Sequence, residues 1–117
     1  MTTIHAPLLD AATVAALREL KLLGRLYSAF LAALPGLLAS LQAAVAAADR
    51  QALRLLAHRL RGSAGQLGAT ALSRAFGALE DAVSEDGRPW PSCAELDALA
   101  QATTAAMARE AQRDANP

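Results

Sequence analysis

Between Arg25 and Asp49 the chain runs for 23 residues without a charged side chain, and within that run Tyr27, Phe30, Leu34, Leu37, Leu41, Ala44 and Ala48 recur at alternating spacings of three and four. A strand would place apolar residues at every second position. This pattern instead lines one face of a helix and requires a second apolar surface to cover it. Length alone would let the segment cross a bilayer. Its content argues otherwise, because it is largely alanine, which contributes little to insertion, and is interrupted by Pro35-Gly36 and Gln42. The stripe therefore predicts a helix of a water-exposed bundle and no membrane span.

The remaining sequence supplies the partners for that helix. Asp10 is placed to cap a short helix ending at Glu19, and the long apolar helix follows to about Ala47, with a bend expected near Pro35. Asp49 opens a third helix carrying Leu53, Leu56, Leu60 and Leu67, which ends near Gly68, a residue suited to the left-handed conformation that closes helices. A fourth carries Leu72, Phe76, Leu79 and Val83. The stretch Glu85-Asp86-Gly87-Arg88-Pro89-Trp90-Pro91 reads as a loop, and Ser92 with Glu95 has capping-box spacing before a last helix with Leu96, Leu99, Thr103 and Met107 facing inward, fraying near Asn116-Pro117. The expected architecture is all-α: an antiparallel up-down four-helix bundle with a short additional N-terminal helix, a single domain over residues 1–117 with its core at about 8–111.

Composition narrows the function. With 3% aromatic residues the core must be close-packed leucine and alanine, and 11 basic against 11 acidic side chains leave no net charge to steer the protein toward nucleic acid. Cys93 is the single cysteine and only His5 and His58 accompany it, a poor set for zinc and no basis for an intrachain disulfide. The N-terminus has no basic region followed by an apolar stretch, so a cytoplasmic location is expected. His5 lies in a terminal segment with no motif around it, and Cys93, at the start of a helix, is expected to pack.

One stretch is chemically informative. On a helical wheel Leu53, Leu56, Leu60, Ala64 and Leu67 cluster opposite His58, which places the imidazole toward solvent. Gln51, Arg54, Arg61, Gly62 and Gly65 share its side. Each helical glycine costs about 1 kcal/mol relative to alanine, so two on the histidine's face, one and two turns beyond it, suggest that a partner approaches closely there; packing against a neighbouring helix is the competing explanation. No acidic residue occurs between Asp49 and Glu80, and Arg50, Arg54, Arg59 and Arg61 make the region locally basic, able to offset the charge of a phosphoryl group on the imidazole. If the helices flanking Gly68 fold back on each other, Glu80 comes nearly level with His58. Its carboxylate there could accept a hydrogen bond from one ring nitrogen, leaving the other as a nucleophile, or could simply pair with an arginine. Ser63, five positions on and read as pointing toward the core side, does not make a Ser-His pair. The glycines match neither the phosphate loop nor the dinucleotide fingerprint, so no nucleotide site is visible.

Ala57-His58-Arg59-Leu60-Arg61-Gly62-Ser63, Leu67-Gly68-Ala69, Leu72 and Leu79-Glu80 resemble the signature of the histidine-containing phosphotransfer (HPt) domain of bacterial multistep phosphorelays. The layout is similar from about residue 8 to 111. The resemblance implies that His58 accepts the phosphoryl group, that Arg61 stands where the family usually has lysine beside it, that Gly62 permits access and that Glu80 orients the imidazole. It also implies a carrier without ATP-dependent kinase activity, exchanging phosphate between receiver domains of a hybrid sensor kinase and a response regulator. It would need no cofactor of its own, with magnesium residing in the partner receiver domain. The alternative from another class is a non-catalytic helical adaptor that binds a partner through the Gly/Arg face. Nucleic-acid binding through Arg50, Arg54 and Arg61 is disfavoured by net neutrality.

Overall fold

The computed structural model describes residues 8–85, 89–90 and 93–115. Five helices follow in order: α1 (Ala11–Glu19), α2 (Leu23–Ala46), α3 (Arg50–Gln66), α4 (Thr70–Ser84) and α5 (Cys93–Ala115). Helix α2 packs on α3 and α5, α4 packs on the same two, and α1 lies against α2. The four long helices thus close a ring in chain order around one core, the antiparallel bundle with a short N-terminal helix expected from periodicity.

Local chemistry sets the helix starts. Asp10 Oδ2 accepts hydrogen bonds from the Thr13 amide at 3.0 Å and the Thr13 hydroxyl at 2.6 Å, and Asp49 Oδ1 accepts from the Ala52 amide at 3.1 Å. These bonds to Thr13 hold the Asp10 carboxyl below its ordinary value. Helices α1, α2 and α3 all end in the same paired motif. The residue two past the cap donates back five positions (Leu22 to Leu17, Asp49 to Ala44, Ala69 to Ala64) and the one before it donates back three. The left-handed residue in these ends is Lys21 (φ 61), Ala48 (φ 54) and Gly68 (φ 79), respectively.

Tyr27, Phe30, Leu34, Leu41 and Ala44 of the apolar stripe are buried and Leu37 is half-buried. Ala48 departs from it: the helix has already ended and the residue is exposed in the left-handed turn, so the helical period no longer governs where it faces. Helix α2 continues through Pro35 without a break. Among the described residues α2 alone is long and apolar enough to cross a membrane, with mean hydropathy 1.8; its core face is covered here by the rest of the bundle. Leu53, Leu60, Leu72, Phe76, Val83 and Met107 fill the centre, and the buried Thr103 hydroxyl donates to the Leu99 carbonyl at 2.7 Å. Met1–Pro7 with His5, the loop residues Asp86, Gly87, Arg88 and Pro91, the Ser92 half of the capping box, and Asn116-Pro117 lie outside the described residues.

The turn between α3 and α4 is anchored from two sides. The buried Tyr27 hydroxyl donates to the Leu67 carbonyl at 3.0 Å, and the Asp10 amide donates to the Gly68 carbonyl at 2.7 Å, docking α1 onto the turn. Glycine is required there. A Cβ on Gly68 would lie 2.9 Å from Thr13 Cβ, and the backbone is left-handed as well. Fixing this turn fixes which residues of α3 and α4 face each other.

Candidate functional site

Three pairs along the α3–α4 hairpin are in register. Starting from Gly65 opposite Ser73, each step back along α3 is matched by an equal step forward along α4, through Arg61 and Gly77 to His58 and Glu80. At the first pair a Cβ on Gly65 would meet Ser73 Oγ at 3.3 Å, and that hydroxyl donates to the Arg61 carbonyl at 2.9 Å. At the second, a Cβ on Gly77 would come 3.1 Å from Arg61 Cδ. Small residues thus draw the helices together, and the charged residues sit one turn further along.

At the third pair His58 Nδ1 lies 2.8 Å from Glu80 Oε2, while Arg61 Nη1 donates to Glu80 Oε1 at 3.1 Å. The Glu80 side chain is 17% exposed, against 64% for His58 and 48% for Arg61. Partly solvated pairs of this kind contribute about 1 kcal/mol or less to stability, so their main consequence is orientation. An ionised carboxylate only accepts hydrogen bonds, so a neutral His58 ring bound to it carries its hydrogen on Nδ1 and its lone pair on Nε2. Nε2 has no partner among the described residues. The arrangement offers an exposed nitrogen nucleophile, a carboxylate that accommodates a positive ring, and an adjacent guanidinium.

The wheel places the rest of the face correctly: Gln51, Arg54, Gly62 and Gly65 are all exposed on the His58 side of α3. The two glycines differ in what surrounds them. A Cβ on Gly62 would meet nothing within 4 Å, so its surface is open, whereas the Gly65 position is occupied by the approach of Ser73 described above. Helix packing therefore accounts for Gly65 and leaves open approach to Gly62. Ser63 is exposed and not turned toward the core, because it lies on the flank of the apolar stripe, beyond its edge. Cys93 is half-buried beside Leu79 and Leu96 in a groove between α4 and α5. Among the described residues no three His, Cys, Asp or Glu side chains cluster to hold a metal.

Sequence reasoning did not single out Ser73 or Gly77. The available signal was their spacing: small residues four apart on α4, lying as far past Ala69 as Gly65 and Arg61 lie before it. Leu55, three residues before His58 and 49% exposed, was also passed over.

No curated protein sequence matches. Among solved structures the chain is similar to histidine-containing phosphotransfer protein B (HptB) from Pseudomonas aeruginosa PAO1, with a TM-score of 0.81 and 28% sequence identity over 93% of this chain and 98% of that one. The family model of the Hpt domain matches residues 25–113, which includes α3, α4 and both partners of the His58–Glu80 pair. The chain belongs to the Hpt-domain family, the phosphotransfer modules that work with receiver domains in phosphorelays.

Proposed function

We propose that this protein carries a phosphoryl group on Nε2 of His58, taking it from the phosphoaspartate of one receiver domain and passing it reversibly to an aspartate of another. One observation carries the reading: the imidazole is exposed, with Nδ1 engaged by Glu80 and Nε2 free of described partners. In the forward step the Nε2 lone pair attacks phosphorus as the phosphorus–oxygen bond to the aspartate breaks, and the aspartate leaves as a carboxylate. The ring becomes positively charged with its hydrogen still on Nδ1 and hydrogen-bonded to the Glu80 carboxylate, and Arg61 adds positive charge beside the incoming phosphoryl oxygens. Return of the lone pair to Nε2 as the next aspartate attacks completes the relay.

The receiver domains of a hybrid sensor kinase and of a response regulator are the partner class, meeting the face formed by Gln51, Arg54, Gly62 and Gly65, with closest approach over Gly62. Magnesium belongs to the partner's acidic pocket in this reading, and the protein acts in the cytoplasm as a carrier without kinase activity of its own.

Incubation with a receiver bearing labelled phosphate tests this. The expected product is an acid-labile, alkali-stable phosphate on the protein, abolished by His58→Gln with the helical spectrum unchanged. Binding of the receiver that survives without any labelled protein, in wild type as in the variant, would instead describe an adaptor.

A further inference from the structure

We infer that Gly77 is a positioning residue of the phosphotransfer site: its missing side chain is the slot through which Arg61 reaches Glu80. This rests on the carrier reading above and extends it to a residue on the neighbouring helix. Glycine is a poor choice in the middle of a helix, and α4 continues through Gly77 for a further two turns to Ser84. No turn or positive φ calls for it there. What the position does provide is space. A Cβ would lie 3.1 Å from Arg61 Cδ and 3.9 Å from both Cγ and Nη1, so the stem of Arg61 lies across the surface that any side chain at 77 would occupy.

The backbone beneath Arg61 is held. Its carbonyl accepts the Ser73 hydroxyl at 2.9 Å, a bond that resists parting of the two helices at this point, so the strain of an added methyl falls on the Arg61 side chain. A few tenths of an ångström at Cδ are carried outward to the guanidinium. That group holds Oε1 of Glu80 while Oε2 holds Nδ1 of His58. The carboxylate is thus pinned at both oxygens, and the contact chain runs from Gly77 through Arg61 and Glu80 to the imidazole. Without Arg61 in place Glu80 keeps only its bond to His58, and the carboxylate that sets the ring's hydrogen position is free to turn away.

The test is a double-mutant cycle of Gly77→Ala and Arg61→Ala in the full chain, with two readouts. Transfer from a labelled receiver at saturating concentration is expected to slow roughly tenfold in Gly77→Ala, with little change in the half-saturating concentration. The thermal midpoint is expected to hold or rise, because alanine is the better helix former. In the Arg61→Ala background the added Gly77→Ala change is expected to have no further effect. Ring nitrogen chemical shifts of His58 are expected to move from a single Nδ1–H form toward a mixture of tautomers in either single variant. Transfer unchanged by Gly77→Ala, equal slowing in both backgrounds, or ring nitrogens that stay fixed would each overturn the proposal. Wild-type protein that takes up no phosphate would refute the carrier reading alone, since the ring-nitrogen cycle still decides the role of Gly77.

Discussion

Helix α4 meets α3 on one side and α5 on the other, and the two contacts are built differently. Toward α3 the connection is a tight turn pinned by Tyr27 and Asp10, and the seam is made of Gly65, Ser73 and Gly77 at separations that leave no room for an added methyl without adjustment. Toward α5 the helices leave a mostly apolar groove of about 230 Å³ lined by Ala75, Ala78, Leu79, Cys93, Leu96 and Leu99, with Glu95 also on its wall. Every side chain of the proposed phosphotransfer site lies on α3 or on the α3-facing side of α4. A nucleophile whose lone pair must point in one direction needs neighbours held to within a few tenths of an ångström, and only the tight contact supplies that. The loose one carries no such demand.

The contrast is most sharply tested at the turn. Gly68→Ala adds a Cβ 2.9 Å from Thr13 Cβ in a backbone with φ 79, and is expected to lower unfolding free energy by about 2–3 kcal/mol in urea titration and to expose the α1 amides to hydrogen exchange. A loss below about 0.5 kcal/mol would mean that the turn is not the fixed point described here.

Tyr27→Phe removes the hydroxyl that holds the Leu67 carbonyl and is expected to cost about 1 kcal/mol. It also carries a pH signature. Burial raises the Tyr27 phenol above its ordinary value of 10.0, with Glu110 adding to the rise. Since the folded value exceeds the unfolded one, the tyrosine's contribution is complete below about pH 10 and is lost as pH climbs through the folded value. Wild type is therefore expected to lose stability on that alkaline limb more steeply than Tyr27→Phe. Parallel curves for the two proteins would show that the phenol is not the group responsible.

The smallest effect is expected on the other side of α4. Ala75→Leu extends an apolar side chain into the groove and is expected to raise stability by up to about 1 kcal/mol while leaving the transfer rate unchanged. A drop in transfer would show that the α5 side of α4 is coupled to the site after all.

Helix existence was legible in the sequence wherever a period of three and four persisted, and caps such as Asp10 and Asp49 marked where helices begin. Ends were less legible. Lys21 and Ala48 take the same left-handed turn as Gly68, but both project into solvent and bear their backbone strain there, so no glycine announces them. For the site, His58 and its exposed face followed from the wheel on α3 alone. Counting outward from the turn brought Glu80 near the level of His58 but left imidazole and arginine as alternative partners; the structure shows it holding both. Gly65 and Gly77 were a different matter, because a glycine's reason lies in whatever stands opposite its missing side chain.

The amino-acid order by itself determined the five helices, their apolar faces and the outward placement of the imidazole, since each depends on residues a few positions apart on one segment. The tertiary structure alone decided which small residue stands open and which admits a neighbouring helix, and how Arg61 is brought onto Glu80. Those outcomes depend on separations of a few tenths of an ångström between segments, set by the packing of whole helices around a shared turn.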